Sequence, residues 1–167
     1  DCHLKRLRLN WLGPWFLTCW PKAAIVCEND FNFLFMYVLG HKVPDTDAII
    51  GAIAAAKLYN ALGVECKPAR LGELNKETQF LQEYFGFEVP ELIESLPDGS
   101  DVILVDHNEV KQCLDNLAKL NIYAIIDHHK FSLQTDSPVN IRAEIIGSSA
   151  SILYKMFKEN NLEIDKQ

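Results

Sequence analysis

The chain has 167 residues, the size of one ordinary domain, which excludes a large multidomain assembly. Hydrophobic residues make up 49% and charged residues 23%, with mean hydropathy near zero at −0.02, enough apolar material for a packed interior and too much for a disordered tail. Sixteen Lys plus Arg against 23 Asp plus Glu leave a net charge of −7, the wrong sign for holding nucleic acid by phosphate neutralisation, although a phosphorylated substrate stays open if the acidic residues hold cations.

Residues 1–35 differ from everything after them. They contain all three tryptophans and Cys2, Cys19 and Cys27, and mix Pro, Gly and bulky aromatics without period. Lys5, Arg6 and Arg8 ahead of Trp11 to Trp20 resemble the start of a signal peptide, but Gly13-Pro14 interrupts the run and no clear cleavage site follows, so secretion is disfavoured. Met36 stands directly before an apolar strand, as an initiator would. Residues 1–35 are therefore expected to be a non-native or disordered N-terminal extension, a genuine N-terminal helix or partner-binding tail being the alternative, and residues 36–167 to be the domain. The five cysteines are scattered without a C-x-x-C pair, which fits a reducing compartment and a cytoplasmic location. No apolar stretch approaches the ~20 residues that span a bilayer, so no membrane partner is expected.

From Met36 onward, three short apolar runs read as central parallel strands buried on both faces: Met36–Gly40, Val102–Val105 and Ile122–Ile126. Ala48 to Leu62, apolar almost all round, reads as a buried helix with Thr46 and Asp47 as capping candidates and Gly63 as its stop. Val64–Leu71 predicts a strand placed near an edge by Pro68. Asn75 caps a second predicted helix with Phe80, Leu81, Tyr84 and Phe85 on its inner face and Gly86 as its stop. Leu92–Leu96 reads as a short helical turn before the Pro97-Asp98-Gly99 turn, and Glu109–Leu120 as a helix on Val110, Cys113, Leu114 and Leu117. Val139–Ile146 reads as a strand, and Ser148–Asn160 as a helix with Ile152, Leu153, Met156 and Phe157 inward. The alternation implies an α/β fold: a doubly wound, mainly parallel sheet with helices on both faces and its ligand at the carboxyl ends of the strands.

Each apolar run ends in metal-binding side chains. The first leads into His41-Lys-Val-Pro-Asp45-Thr-Asp47, the second into Asp106-His107-Asn108-Glu109 and the third into Asp127-His128-His129. An Asp after a strand is often only a helix cap, but three clusters on one rim would repel one another, and a divalent cation relieves that repulsion. Carboxylates and imidazoles without thiolate favour Mn²⁺, Mg²⁺, Fe²⁺ or Co²⁺ over structural zinc. His41 with Asp45 can take one ion and Asp47 with His128 another, Asp106 bridging two ions ~3.5–4 Å apart. Two such cations lower the pKa of a shared water and stabilise the oxyanions of an in-line displacement, so phosphoester or phosphoanhydride hydrolysis is the natural reaction class.

These residues resemble the first three motifs of the DHH phosphoesterase superfamily. The forms Gly40-His-Lys-Val-Pro-Asp-Thr-Asp47, Asp106-His-Asn-Glu109 and Gly147-Ser-Ser-Ala-Ser151 are closer to the manganese-dependent (family II) inorganic pyrophosphatases, over roughly Met36 to Asn160. The resemblance implies cleavage of pyrophosphate to two phosphates by water. His41, Asp45 and Asp106 would hold one Mn²⁺, and Asp47, Asp106 and His128 the second, with Mg²⁺ or Co²⁺ as substitutes. His129 would contact phosphate or support the site, and Glu109 and Asn108 would orient the surroundings of Asp106, giving Asp106, His129 and Glu109 as catalytic candidates. His107 is expected to be a structural histidine packed beneath the site. The resemblance also implies a homodimer, for which Val139–Ile146 is a candidate pairing strand.

The family's fourth, Ser-Asp-Thr-like motif and its basic substrate-binding domain are missing from the sequence, and Lys42 and Lys130 do not match the family's phosphate clamp. The expectation is an incomplete domain that carries most of the metal ligands and has little activity alone. Two alternatives stay open. One is another DHH phosphoesterase, an oligoribonuclease, nucleotide phosphatase or exopolyphosphatase, which the Asp106-His-Asn-Glu109 form and the net charge disfavour. The other is a metal-binding module inactive on its own.

Overall fold

Alternation along the strands divides the interior into two layers. The computed structural model describes residues 35–164, so the readings of the first 34 residues, with Cys2, Cys19 and Cys27, lie outside the described residues. The strands are β1 (Met36–Leu39), β2 (Cys66–Arg70), β3 (Glu91–Leu92), β4 (Asp101–Val105), β5 (Asn121–Asp127) and β6 (Asn140–Ala143), and the α-helices are α1 (Thr46–Ala61), α2 (Lys76–Phe85) and α3 (Ser149–Glu159). The sheet runs in the order β3-β2-β1-β4-β5-β6, with every pair parallel. The chain winds outward from β1 through β2 to β3, then crosses back to β4 and continues to β5 and β6. The switch point lies between β1 and β4, and a crevice at their carboxyl ends is where such sheets place a ligand.

Val38, Ile103, Val105, Ala124 and Ile126 point to one face and pack against Ala52, Ala55 and Ala56 of α1 and Ile152 and Leu153 of α3. Their neighbours Leu39, Val102, Leu104 and Ile125 point to the other face, against Ile93, Leu96, Cys113, Leu114, Leu117 and Leu120. Helix α1 buries Ala48, Ile49, Gly51, Ala52, Ala55, Ala56 and Leu58, as its nearly all-round apolarity predicts. Gly63 and Gly86 follow α1 and α2 with φ of 83° and 71°, the left-handed region that glycine enters without a Cβ clash.

Three element predictions change. Glu109–Leu120 is not one helix: it forms two 3₁₀ turns, Val110–Gln112 and Leu117–Lys119, separated by an extended Cys113 (φ −121°, ψ −172°). Asn116 is drawn out of helical geometry, its side-chain amide donating to the Leu96 carbonyl (2.8 Å) and to Asp98 Oδ1 (3.2 Å). The buried positions are nonetheless the predicted Cys113, Leu114 and Leu117. Leu92 belongs to the two-residue strand β3 rather than to a helical turn, because β2 offers a free ladder at Ala69 and Arg70. That makes β2 second from the edge, although Cys66–Pro68 pairs only with β1, where a proline is tolerated.

The third change is the inner face of α2. Thr78 and Gln82 are its buried residues, while Phe80, Tyr84 and Phe85 are exposed, Phe80 stacking on Tyr84 and Phe85 meeting Tyr84 edge-on. Thr78 Oγ1 meets Thr46 Oγ1 at 3.0 Å and Gln82 Nε2 donates to the Glu88 carbonyl at 3.2 Å, so the polar side faces the body of the domain. The last predicted strand is shorter than its reading, Asn140–Ala143, and lies at the sheet edge.

Candidate metal centre

The loop from Gly40 to Pro44 leaves β1 and delivers His41, after which α1 begins. Neither Thr46 nor Asp47 caps that helix. Asp45 does, its Oδ1 accepting the Ala48 amide at 3.0 Å, which orients the carboxylate toward the loop it follows. His41 Nε2 lies 3.7 Å from Asp45 Oδ1 and 3.5 Å from Asp106 Oδ2. Asp106 stands where β4 ends, buried, with a φ of 65° that a non-glycine residue seldom adopts. Strain of that kind persists only where the surroundings hold it, and it turns this carboxylate into the crevice.

From the other side, β5 ends in Asp127 and delivers His128 and His129. His128 Nε2 lies 3.2 Å from Asp106 Oδ1 and 3.7 Å from Asp47 Oδ2, while its Nδ1 meets the Ile146 carbonyl at 3.0 Å. A carbonyl can only accept, so Nδ1 carries the proton and Nε2 faces the carboxylates, the second-nitrogen anchoring typical of a metal-ligating imidazole. His129 packs its ring against that of His128 with centroids 4.1 Å apart. Its Nδ1 lies 2.9 Å from Asp127 Oδ1 and 3.8 Å from Asp106 Oδ1.

Among the described residues, two sets of donor atoms converge within 4.8 Å: His41, Asp45 and Asp106, and Asp106, His128 and His129. Asp106 is common to both. Asp47 adjoins the second set, its Oδ2 3.7 Å from His128 Nε2, and α3 grips its carboxylate. The amides of Ser149 and Ala150 donate to Oδ2 at 2.6 Å and Oδ1 at 2.9 Å, the use of a helix N-terminus to hold an anion. The Glu109 carboxylate meets Gln112 Nε2 at 3.5 Å and belongs to neither set. His107 is buried beneath the site, its Nδ1 3.0 Å from the Val105 carbonyl and its Nε2 without a partner among the described residues.

The electrostatics follow from burial and crowding. Hydrogen bonding to Asp106 pushes the His41 pKa above its ordinary value. Burial works to raise Asp106, but hydrogen bonds from His41 and Ser149 outweigh it and hold this carboxyl below the usual range. Asp47 is raised, chiefly by burial, against the pull of the Ala150 and Ser149 amides. Burial pushes the His107 pKa down to about 4. The donor set of carboxylate oxygens and imidazole nitrogens, without thiolate, suits a hard or borderline divalent cation.

The structure also shows one residue to which the motif reading gives no role, Ser149, and the partners of one to which it does, Asn108. Ser149, fully buried, donates its Oγ to Asp106 Oδ1 at 2.9 Å. Asn108 donates Nδ2 to Asp127 Oδ2 at 2.6 Å and to the Lys130 carbonyl at 3.0 Å, and its Oδ1 accepts the Ser132 amide at 2.7 Å. Ser149 is legible beforehand only as part of a serine-rich helix start. Lys42 turns away from the centre to pair with Asp115 at 2.6 Å.

Residues 36–167 match the family model described as the DHH family, N-terminal domain. A probable manganese-dependent inorganic pyrophosphatase of Oceanobacillus iheyensis is 51% identical over 130 residues, 77% of this chain and 42% of that protein. The manganese-dependent inorganic pyrophosphatase of Bacillus subtilis is 45% identical over 132 residues, 78% of this chain and 43% of that protein. Among solved structures, a putative family II inorganic pyrophosphatase of Methanococcus jannaschii superimposes with a TM-score of 0.69 at 44% identity, covering 75% of this chain and 40% of its own. An exopolyphosphatase-related protein of Bacteroides fragilis shares the fold, with a TM-score of 0.54 at 16% identity. The chain thus spans less than half the length of the curated relatives it matches.

Proposed function

The chain belongs to the DHH family, and from that premise we propose that it is the metal-holding part of a manganese-dependent inorganic pyrophosphatase, which hydrolyses pyrophosphate to two phosphates. The observation that carries this reading is the position of Asp106, shared by two converging ligand sets at the switch point of the sheet. His41, Asp45 and Asp106 hold one Mn²⁺. Asp106 and His128 hold the second with Asp47, which lies 3.7 Å from His128, and Mg²⁺ or Co²⁺ can substitute. Bound in this way, the cations supply a water of lowered pKa and positive charge for the phosphoryl oxygens.

The chain's own residues do the rest. Ser149 holds Asp106 in place by its hydroxyl, and α3 orients Asp47 by two amides. His129, the more exposed of the histidine pair, stands at the rim as the group that meets phosphate. Asp106 and His129 are thus the catalytic candidates nearest the reacting centre, and Glu109 would contribute only from the margin. The net charge of −7 argues for a small cation-bound anion rather than nucleic acid as the ligand. Two free, buried cysteines, Cys66 and Cys113, are compatible with a cytoplasmic location. No helix among the described residues is long and apolar enough to cross a membrane. The outer edge of β6, with Ile141 exposed beside it, supports a homodimer formed by strand pairing.

Calorimetric titration of Mn²⁺ together with phosphate release from pyrophosphate tests this reading, with Asp106→Asn as the reference variant. Mn²⁺ binding that Asp106→Asn abolishes at both sites is expected. Undiminished binding in that variant, or release of nucleotide from short oligonucleotides but no phosphate from pyrophosphate, overturns it.

A further inference from the structure

Asp127 ends β5 fully buried, yet it joins neither ligand set. Both of its oxygens are already engaged. Oδ1 accepts the backbone amide of His129 at 3.1 Å and lies 2.9 Å from His129 Nδ1, and Oδ2 accepts Asn108 Nδ2 at 2.6 Å. Asn108 is itself 1% exposed and spends its remaining capacity on the same turn, donating to the Lys130 carbonyl and accepting the Ser132 amide. One side chain from the loop after β4 thus pins three points of the turn that follows β5. Only His128 and His129 lie between Asp127 and Lys130 in that turn.

We propose that Asn108 is a positioning residue that acts through Asp127: it fixes the carboxylate which sets the tautomer and place of His129, and it holds the turn that carries both histidines. The inference rests on the reading of this crevice as the metal centre. A carboxylate can only accept, so Asp127 keeps the proton of neutral His129 on Nδ1 and leaves Nε2 bare to face the rim. The Asn108 amide has its donor side toward Asp127 because its acceptor side is taken by Ser132. The orientation of each group therefore dictates that of the next, from Asn108 to Asp127 to the imidazole.

The isosteric variant Asp127→Asn breaks this chain of orientations at one point. Its single amide oxygen cannot serve both sides: the His129 side offers two donors, the backbone amide and the ring Nδ1–H, and the Asn108 side one. The oxygen therefore stays toward His129, and the new NH₂ meets the NH₂ of Asn108 and expels it. Exchanging the two groups, in the double variant Asn108→Asp with Asp127→Asn, gives the new NH₂ a carboxylate acceptor, while the same carboxylate still accepts the Ser132 amide.

Ring-nitrogen NMR of the ¹⁵N-histidine-labelled, metal-free chain above pH 7.5 reads the tautomer directly. The expected result is a proton on Nδ1 of His129 in the parent. Mn²⁺ affinity is expected to fall about tenfold or more in Asn108→Ala and in Asp127→Asn, the usual effect of losing an outer partner of a metal site, and to recover in the double variant. A proton on Nε2 of His129 in the parent overturns the proposal, and so does a double variant that binds Mn²⁺ no better than Asp127→Asn. The exchange keeps the net charge and the side-chain shapes, so it decides the question even if Asn108→Ala does not fold. The tautomer measurement uses neither Mn²⁺ nor pyrophosphate, so its failure is distinct from failure of the pyrophosphatase reading, which Mn²⁺ titration of the parent chain exposes.

Discussion

Gly72 offers a direct test of how tightly the first candidate ligand set is held. It follows β2 and lies so close to the loop after β1 that a Cβ built on it would sit 2.1 Å from the Lys42 carbonyl oxygen and 2.9 Å from Pro44 Cδ. Contacts under 3.0 Å essentially never occur for a real Cβ, and the obstacle is backbone, so Gly72→Ala must open this contact by about 1 Å. The loop has little room to retreat, because the Lys42 amide donates to the Gln112 carbonyl at 2.8 Å and Lys42 Nζ pairs with Asp115. Overpacking of this kind costs about 1–3 kcal/mol, which for a domain of this size lowers Tm by roughly 3–9 °C. A ligand constellation tolerates displacement of about 0.5 Å, so a shift near 1 Å at His41 should weaken Mn²⁺ binding about tenfold, or ~1.4 kcal/mol. Gly63→Ala is the matched control: Gly63 has φ of 83° and open space around its missing Cβ, so alanine there meets backbone strain of ~1 kcal/mol without touching the loop. Calorimetric Mn²⁺ titration and thermal melts of the two variants separate the effects. Unchanged Mn²⁺ affinity and Tm in Gly72→Ala, with the expected loss in Gly63→Ala, would refute the argument.

Three further outcomes follow from other parts of the fold. His107 is neutral in the folded chain down to about pH 4, whereas its ordinary pKa is 6.5; the unfolded state binds the extra proton between these values, so stability falls as pH drops through that window and levels off below it. The contribution is at most about 3 kcal/mol; urea unfolding at pH 7.5 and 5 should show a smaller loss for His107→Gln, and equal losses would count against the assignment. Burial pushes the Cys66 and Cys113 thiols up to about 11, so in a variant with Cys2, Cys19 and Cys27 changed to Ser, Ellman's reagent should react only at the rate of unfolding; rapid labelling in the native state contradicts this. On α2, Tyr84→Ser should change stability by less than about 0.5 kcal/mol because Tyr84 is 72% exposed, while Gln82→Ala should cost about 1 kcal/mol or more through the packing lost at a 2% exposed position and the lost bond to the Glu88 carbonyl; chemical denaturation reverses the reasoning if Tyr84→Ser is the worse of the two.

What could be read from the sequence divides along one physical line. The parallel strands announce themselves as short β-branched runs because both faces are buried, and the ligands sit directly after them, so one local pattern reveals both the sheet and the crevice at its carboxyl edge. The partners of those ligands are not local. Asp47 is held by amides 102 and 103 residues away, Asp106 by a hydroxyl 43 residues away and Asp127 by an amide 19 residues away. No periodicity encodes such distances. Helix α2 shows the complementary failure: spacing puts Phe80, Tyr84 and Phe85 on one side, but it says only that the two sides differ, and Thr46 with the Glu88 carbonyl decides that the polar side turns inward. In the segment from Glu109 to Leu120, spacing identifies the residues that bury but not the backbone that buries them, because two 3₁₀ turns and one helix can put Cys113, Leu114 and Leu117 against the same sheet face. The candidate metal ligands escape this ambiguity because their chemistry selects the carboxyl ends of the strands, and parallel pairing brings those ends to one rim without any help from the helices.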